Sequence, residues 1–284
     1  MLLPALLLLL IYSYIPLVGN VMAFQKFNPS KGFLGSKWVG LKNFRYVFDL
    51  PDIYQIIWNT FYIAILKIIM GIVIPVIVAL LLNEITRMKF KRTIQTMIYF
   101  PHFLSWVILA GVFVDVLSPS DGVIGRAFTA LGLKPIFFLG DPKWFPYTMV
   151  LTDTWKEFGY GTIVYLAALT GIDPSLYEAA VMDGAGHGIV FFRIILPLSM
   201  PAIASASIFN FVSAWNNLLF PLVFISKDSM KTISIGLLSF FGAYTSDYGA
   251  VMAAIGVSII PPIIMYILLQ EKMEKGLTAG AVKG

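Results

Sequence analysis

The stretch GIDPSLYEAAVMDGAGHGIVFFRIILP, residues 171–197, decides how the rest of the chain is read. Asp173 followed by Pro174 is a helix start, an N-cap acceptor with proline at the first helical position. Gly184, Gly186 and Gly188 end that helix, because glycine takes the left-handed and open conformations that a sharp turn needs. Ile189 to Leu196 then restarts a helix that meets the membrane at Pro197. The prediction is a helix-turn-helix lying outside lipid. It presents Ala179 and Ala180 on a knob with so little side chain that another protein's groove can approach the backbone.

On either side of this stretch the sequence is too apolar for a water-facing domain. Of 284 residues, 58% are hydrophobic and 12% charged, and the mean hydropathy is +0.84. A soluble domain carries about a quarter charged residues. A membrane crossing needs about 20 apolar residues, and residues 1–25, 93–114, 194–226 and 248–270 contain no charge at all. Two further runs are interrupted, 53–83 by Lys67 alone and 146–171 by Asp153, Lys156 and Glu157. The run from Ile194 to Ser226 is punctuated by Pro197, Pro201 and Pro221, which places the start of its span near Pro201. The first run lacks a basic leader and a small-residue cleavage site and reads as a span. The chain is therefore read as an all-α polytopic membrane protein, one transmembrane domain over residues 1–284. Its six helices are expected at about 2–24, 57–82, 94–117, 146–170, 201–225 and 249–269, with the loop 172–197 between the fourth and fifth.

Charge bias orients such a protein. With six spans, one side holds eight Lys and Arg, four of them crowded between Arg87 and Arg92, and the other side holds ten. The totals decide nothing, while the density favours the first side, with both termini, as cytoplasmic. The net charge of +5 reads as membrane bias rather than a nucleic-acid footprint. Cysteine is absent and the two histidines, His102 and His187, lie far apart, which leaves neither a disulfide frame nor a zinc site. His102, after Pro101, reads as a polar residue at a kink, and His187 as a turn residue. The chain has no phosphate-binding loop, zinc-protease helix, nucleophile elbow or dinucleotide fingerprint. Any nucleotide chemistry must come from a partner, and the reading is a conduit or its scaffold rather than an enzyme.

The order Glu178-Ala179-Ala180, three residues, Gly184, nine residues, Ile194-x-Leu196-Pro197 resembles the EAA loop of binding-protein-dependent ABC importer permeases. Ala79 to Glu84, Phe90 to Thr93 and Phe100 to Phe103 look like carbohydrate-uptake permeases of the maltose and oligosaccharide type, and the likeness covers the chain from about residue 35 onward. The resemblance implies a type I ABC importer permease fold in the bacterial inner membrane, with a cytoplasmic coupling helix that docks into an ATPase subunit. By that likeness Glu178, Ala179, Ala180, Asp183, Gly184 and Gly186 couple to the ATPase. The first half resembles the oligosaccharide or alginate subunit placed first in such pairs. Trp215-Asn216-Asn217 and the tail Gly276 to Gly284 resemble the second, maltose-type subunit, whose tail, here Gly280, Val282 and Lys283, reaches the ATPase. Either place in a pair, or a homodimer, stays open. The implied partners are an ATPase dimer that binds ATP and Mg²⁺, a second permease, an extracytoplasmic solute-binding protein and an oligosaccharide. The binding protein would approach loops 25–56, 119–145 and 227–248.

Charges inside a membrane are costly, so Lys67, Asp153, Lys156 and Glu157 should face protein or water and pair. At about 1.5 Å per residue all four fall near mid-depth. Asp153, Lys156 and Glu157 share one helix face, and Lys67 is expected to neutralise the acidic pair from another helix. The layer either lines a translocation path or holds two helices in register. In the first case Lys67 and Lys156 are candidate clamps for an acidic sugar's carboxylate. Trp215, Asn216 and Asn217 suit either sugar stacking and hydrogen bonding or helix packing. Two rivals remain. One is an ion-coupled secondary transporter using Asp153 and Glu157, which calls for an inverted repeat that the sequence lacks. The other is a noncatalytic scaffold.

Overall fold

The computed structural model describes residues 2–171, 174–225, 227–238, 240 and 247–281. Its principal helices are α1 (Leu3–Phe24), α2 (Lys42–Phe48), α3 (Ile53–Asn83), α4 (Met88–Tyr99, prolonged by a 3-10 turn over Phe100–Phe103) and α5 (Trp106–Leu117). Then come α6 (Val123–Ala130), α7 (Phe145–Thr170), α8 (Pro174–Met182) and α9 (His187–Val190, prolonged by a π-turn over Phe191–Ile195). The series closes with α10 (Leu196–Trp215), α11 (Leu219–Phe224), α12 (Ile233–Leu238) and α13 (Tyr248–Ala281). Among the described residues, four helical stretches are long and apolar enough to cross a membrane: Leu3–Phe24, Ile53–Asn83, Ala206–Phe224 and Tyr248–Glu271. A fifth appears if α4 and α5 count together. At 26 residues α7 has the length, and Asp153, Lys156 and Glu157 set its composition apart.

The chain forms two compact units. In the first, residues 1–60 with 227–263, a two-stranded antiparallel hairpin pairs Gln25 with Trp38 and Lys26 with Lys37 just after α1. Asn43 on α2 donates through Nδ2 to the carbonyls of Ala23 and Gln25, both at 2.9 Å, and so ties α2 to the end of α1. Ala23, Val47, Ile53, Ala253 and Ala254 are buried together there. In the second unit, residues 61–226 with 264–284, Ala79 of α3 packs against Tyr165 and Leu169 of α7, with Ile203 and Ala206 of α10 closing the cluster. Buried threonines on α7 return their hydroxyl hydrogens to the preceding turn: Thr152 Oγ1 donates to the Thr148 carbonyl at 2.8 Å and Thr162 Oγ1 to that of Phe158 at 2.7 Å. This satisfies the hydroxyls without a partner helix.

Two boundaries differ from the sequence expectation. The span expected over 94–117, with a kink at Pro101, is two helices bent by 97°. Pro101 lies in the 3-10 turn, and Ser105 opens α5 as its N-cap, its side chain accepting from the Val107 amide at 3.2 Å. A turn tightened at proline followed by a fresh cap starts a new helix in a new direction. The fifth expected span, 201–225, neither starts at Pro201 nor runs through. Instead α10 begins at Leu196, with a proline in its first turn, and passes position 201. The π-turn just ahead widens the hydrogen-bond ladder, and a lone proline forfeits a single bond. The helix then stops at Trp215, and Asn217 Oδ1 accepts from the Phe220 amide at 3.3 Å to start α11.

Residues 174–196 form the expected helix, turn and second helix, with the second starting at His187 rather than Ile189. Gly184 alone of the three glycines takes a left-handed φ, +77°. The Ala185 amide donates to the Ala180 carbonyl at 2.9 Å, the long backbone bond of a Schellman stop. The Gly186 carbonyl then accepts from Ile189 and Val190. The expected cap, Asp173, lies outside the described residues. Ala180 corrects the expected knob: it is buried, whereas Leu176, Ala179 and Met182, one face at helical spacing, are exposed.

Candidate functional site

The four charges expected near mid-depth do gather, within the second unit. Lys67 of α3 reaches Asp153 of α7, Nζ to Oδ1 2.9 Å. Lys156 bonds Glu157 on its own helix, Nζ to Oε1 2.7 Å, and donates to the His102 carbonyl at 2.8 Å. Lys67 therefore neutralises one carboxylate, not two. The reason lies in the break after α4. Its last carbonyls have no helical donor, and an ammonium caps such an end well. His102 serves the same layer, with Nδ1 lying 2.6 Å from Glu157 Oε2. An ionised carboxylate only accepts, so Nδ1 carries the proton. The ring stacks on Tyr160 at 4.4 Å and 9°.

Backbone proximity holds this layer in place. A Cβ on Gly159 would stand 1.9 Å from the Ile98 carbonyl oxygen, so α7 and α4 touch main chain to main chain there. A Cβ on Gly161 would meet Pro75 of α3 at 3.2 Å. Pro75 in turn has no N–H to give the Gly71 carbonyl four residues back.

These residues border a cavity of about 150 Å³. Lys67, Asp153 and Glu157 line it, together with Trp106, Tyr160, Gly71, Asn210 and Asn217. Lys156 does not. Its Nζ sits 5.3 Å over the Trp106 ring, as Lys67 Nζ sits 5.5 Å over Phe220. Of the Trp215-Asn216-Asn217 run, Asn217 alone borders the cavity. Trp215 is 2% exposed and stacked on Phe211, 5.4 Å between centroids, and so packs helices rather than offering a face to sugar. Asn216 is exposed and ends α10.

Sequence reasoning missed Tyr160, Asn210 and Trp106, and read His102 as a kink residue alone. Part of the signal was present. Tyr160 stands at helical spacing from Asp153, Lys156 and Glu157, and Asn210 is polar within a run free of charge. The position of Trp106 depends on the 97° bend, which periodicity does not foresee. Among the described residues no cluster of His, Asp and Glu has the makings of a metal site. Of the residues expected near an ATPase, Ala179 and Gly184 lie exposed around α8, as do Asp183 and Gly186. Gly280 falls within α13. The side chain of Glu178 and the residues Val282 and Lys283 lie outside what is described.

Residues 71–279 match the family model described as "Binding-protein-dependent transport system inner membrane component". The chain is 35% identical over 273 residues to Protein LplB of Bacillus subtilis (strain 168), covering 92% of this chain and 85% of that protein. It is 41% identical over 205 residues to the polygalacturonan/rhamnogalacturonan transport system permease protein YteP of the same organism, covering 72% of this chain and 63% of that one. Among solved structures, it resembles a chain in the crystal structure of a bacterial alginate ABC transporter in complex with an alginate pentasaccharide-bound periplasmic protein. That likeness has a TM-score of 0.82 and 30% identity over 95% of this chain and 91% of that chain. With a paired polar layer around a cavity, and most of its length matched, the chain belongs to the inner-membrane components of binding-protein-dependent transport systems.

Proposed function

We propose that this chain is one permease subunit of an ATP-driven importer for an oligosaccharide handed over by an extracytoplasmic binding protein. It is a transport subunit, and hydrolysis of ATP with Mg²⁺ belongs to a separate ATPase pair. A second permease completes the path. The six spans are α1, α3, the bent pair α4 and α5 taken as one, α7, α10 with α11, and α13. Both termini and α8 are cytoplasmic.

The observation that carries this reading is α8. A nine-residue helix, stopped by Gly184, stands between α7 and α9 and leaves Leu176, Ala179 and Met182 uncovered. Met182 is 88% exposed, and with Leu176 and Ala179 it makes an apolar stripe on a helix read as lying outside lipid. An ATPase cleft that takes this stripe would convert its own closure into movement of α7 and α10, the helices that border the polar cavity. The acidic layer gives the ion-coupled alternative no support, since each carboxylate already holds an internal lysine.

The test is co-purification of the ATPase with the tagged chain, beside ATP-dependent sugar uptake. Met182→Asp and Gly184→Asp are expected to lower ATPase recovery and uptake at least tenfold while membrane insertion stays intact. Undiminished recovery, or uptake without any ATPase, would reject the coupling role.

A further inference from the structure

Ahead of Asp49 the chain carries five cations, Lys26, Lys31, Lys37, Lys42 and Arg45, and no acid. All five are exposed, and none enters an ion pair among the described residues. Asp247, the acid just before α13, spends Oδ1 on the Ala250 amide at 3.0 Å. Lys26, Lys31 and Lys37 line one open hollow of about 280 Å³, together with Asn28 and Ser36.

The loop that holds these lysines is firmly built. Ser36 Oγ donates to the Gly32 carbonyl at 2.7 Å and accepts from the Asn28 amide at 3.0 Å, while Gln25 Nε2 donates to the Phe33 carbonyl at 2.9 Å. A Cβ on Gly249 would stand 2.8 Å from the Gln25 carbonyl oxygen, so the start of α13 lies against the hairpin. With the Asn43 bonds to the end of α1, this contact sets the hairpin at the ends of two helices long and apolar enough to cross a membrane. That level is the boundary between water and lipid.

The same loop leaves Leu34, Trp38 and Leu41 exposed. At a membrane boundary apolar side chains enter the acyl region, tryptophan sits among the headgroups and ammoniums meet phosphate. An acidic protein would match the charge equally well. The level of the hairpin and its uncovered apolar tip favour lipid. We propose that Lys26, Lys31 and Lys37 receive the phosphodiester of an anionic phospholipid while Leu34 and Trp38 enter its acyl boundary. Headgroups held there would fix the depth of α1 and α13, whatever solute the chain carries.

The chain holds no cysteine, so Leu34→Cys provides a single site for a nitroxide spin label. The full chain is labelled there and placed in bilayer discs of phosphatidylcholine, alone or with an equal part of phosphatidylglycerol. Relaxation of the label by oxygen, which concentrates in lipid, is compared with relaxation by a neutral nickel chelate, which stays in water. The ratio is expected to rise about threefold with phosphatidylglycerol and to fall back in Lys26→Ala/Lys31→Ala/Lys37→Ala. Should the triple variant not fold, 1 M salt, where the screening length is about 3 Å, should lower the ratio of the unsubstituted hairpin in the same way. Equal ratios in the two membranes, or a rise that survives both the variant and salt, would overturn the inference. A label that stays in water in both membranes would overturn it too, and would leave the basic hairpin to an acidic protein.

Discussion

Among the hollows of the chain, one in the first unit and one in the second are of nearly equal size, about 140 Å³ and about 150 Å³, and the two are chemically opposite. The first is walled by Leu50, Ile53, Ile57, Leu237, Phe240 and Ala254, with Asp52 and Lys231 among its few polar neighbours. Lys231 is already paired to Asp228 at 2.8 Å. The second is walled by charges that reach into it from α3 and α7. An apolar hollow costs only the dispersion contacts it lacks. Charges drawn into a membrane protein cost far more, even when paired, and packed hydrophobic residues often replace them without loss. Volume therefore does not separate the two hollows, and the retained ionic groups do.

Substitutions can sharpen this contrast or break it. The largest effect is expected from Gly159→Val, which drives side-chain atoms into the Ile98 carbonyl and forces α7 from α4. Gel filtration of the solubilised chain should show no monodisperse protein. Gly236→Ala beside the apolar cavity meets only the Ile56 side chain, at 3.3 Å from Cδ1 and 3.4 Å from Cγ2, and should cost under about 1 kcal/mol. Equal yields of the two variants would mean that the polar cavity is no more tightly built than the apolar one.

Next comes Lys67→Met, which strands Asp153 and is expected to cost about 3 kcal/mol in denaturant unfolding. Lys67→Met/Asp153→Leu should recover most of that loss, because no uncompensated charge remains. If the double variant is as unstable as the single, the pair holds the helices by shape rather than charge. Gly184→Ala, which puts a Cβ on a residue with φ +77°, should cost about 1 kcal/mol. Its signature is earlier hydrogen exchange in α8 with the cavity unaffected. The smallest effect belongs to Val257→Leu, a methylene added to the apolar hollow. It should move stability by less than about 1.5 kcal/mol and leave ATP-dependent sugar uptake unchanged. A loss of uptake there would count against the contrast between the two cavities.

Much of the architecture was legible because its signals are local. Runs of apolar residues announce α1, α3 and α13 wherever they fold, and Pro174 with the glycines fixes α8 and its stop within a dozen residues. At 94–117 the same local reading placed a kink at Pro101 and missed its size, a bend of 97°. Composition does not weigh Pro101 and Ser105 against an otherwise unbroken apolar run, and the bend at that point also brings His102 and Trp106 to the charged layer. Ala180 was misread as part of the knob because the EAA spacing does not say which face of α8 is turned to its own chain.

From the sequence alone came most of the helices, the expectation that Lys67, Asp153, Lys156 and Glu157 would pair with one another, and the family. Each follows from spacing along one chain, where 1.5 Å per residue and 3.6 residues per turn convert position into geometry. Tertiary structure decided which carboxylate each lysine holds, that Lys67 but not Lys156 borders the cavity, and that His102 bridges a broken helix to α7. Those outcomes depend on how closely glycine and proline let separate helices approach, and such distances of a few ångströms between remote segments are not written in any local pattern.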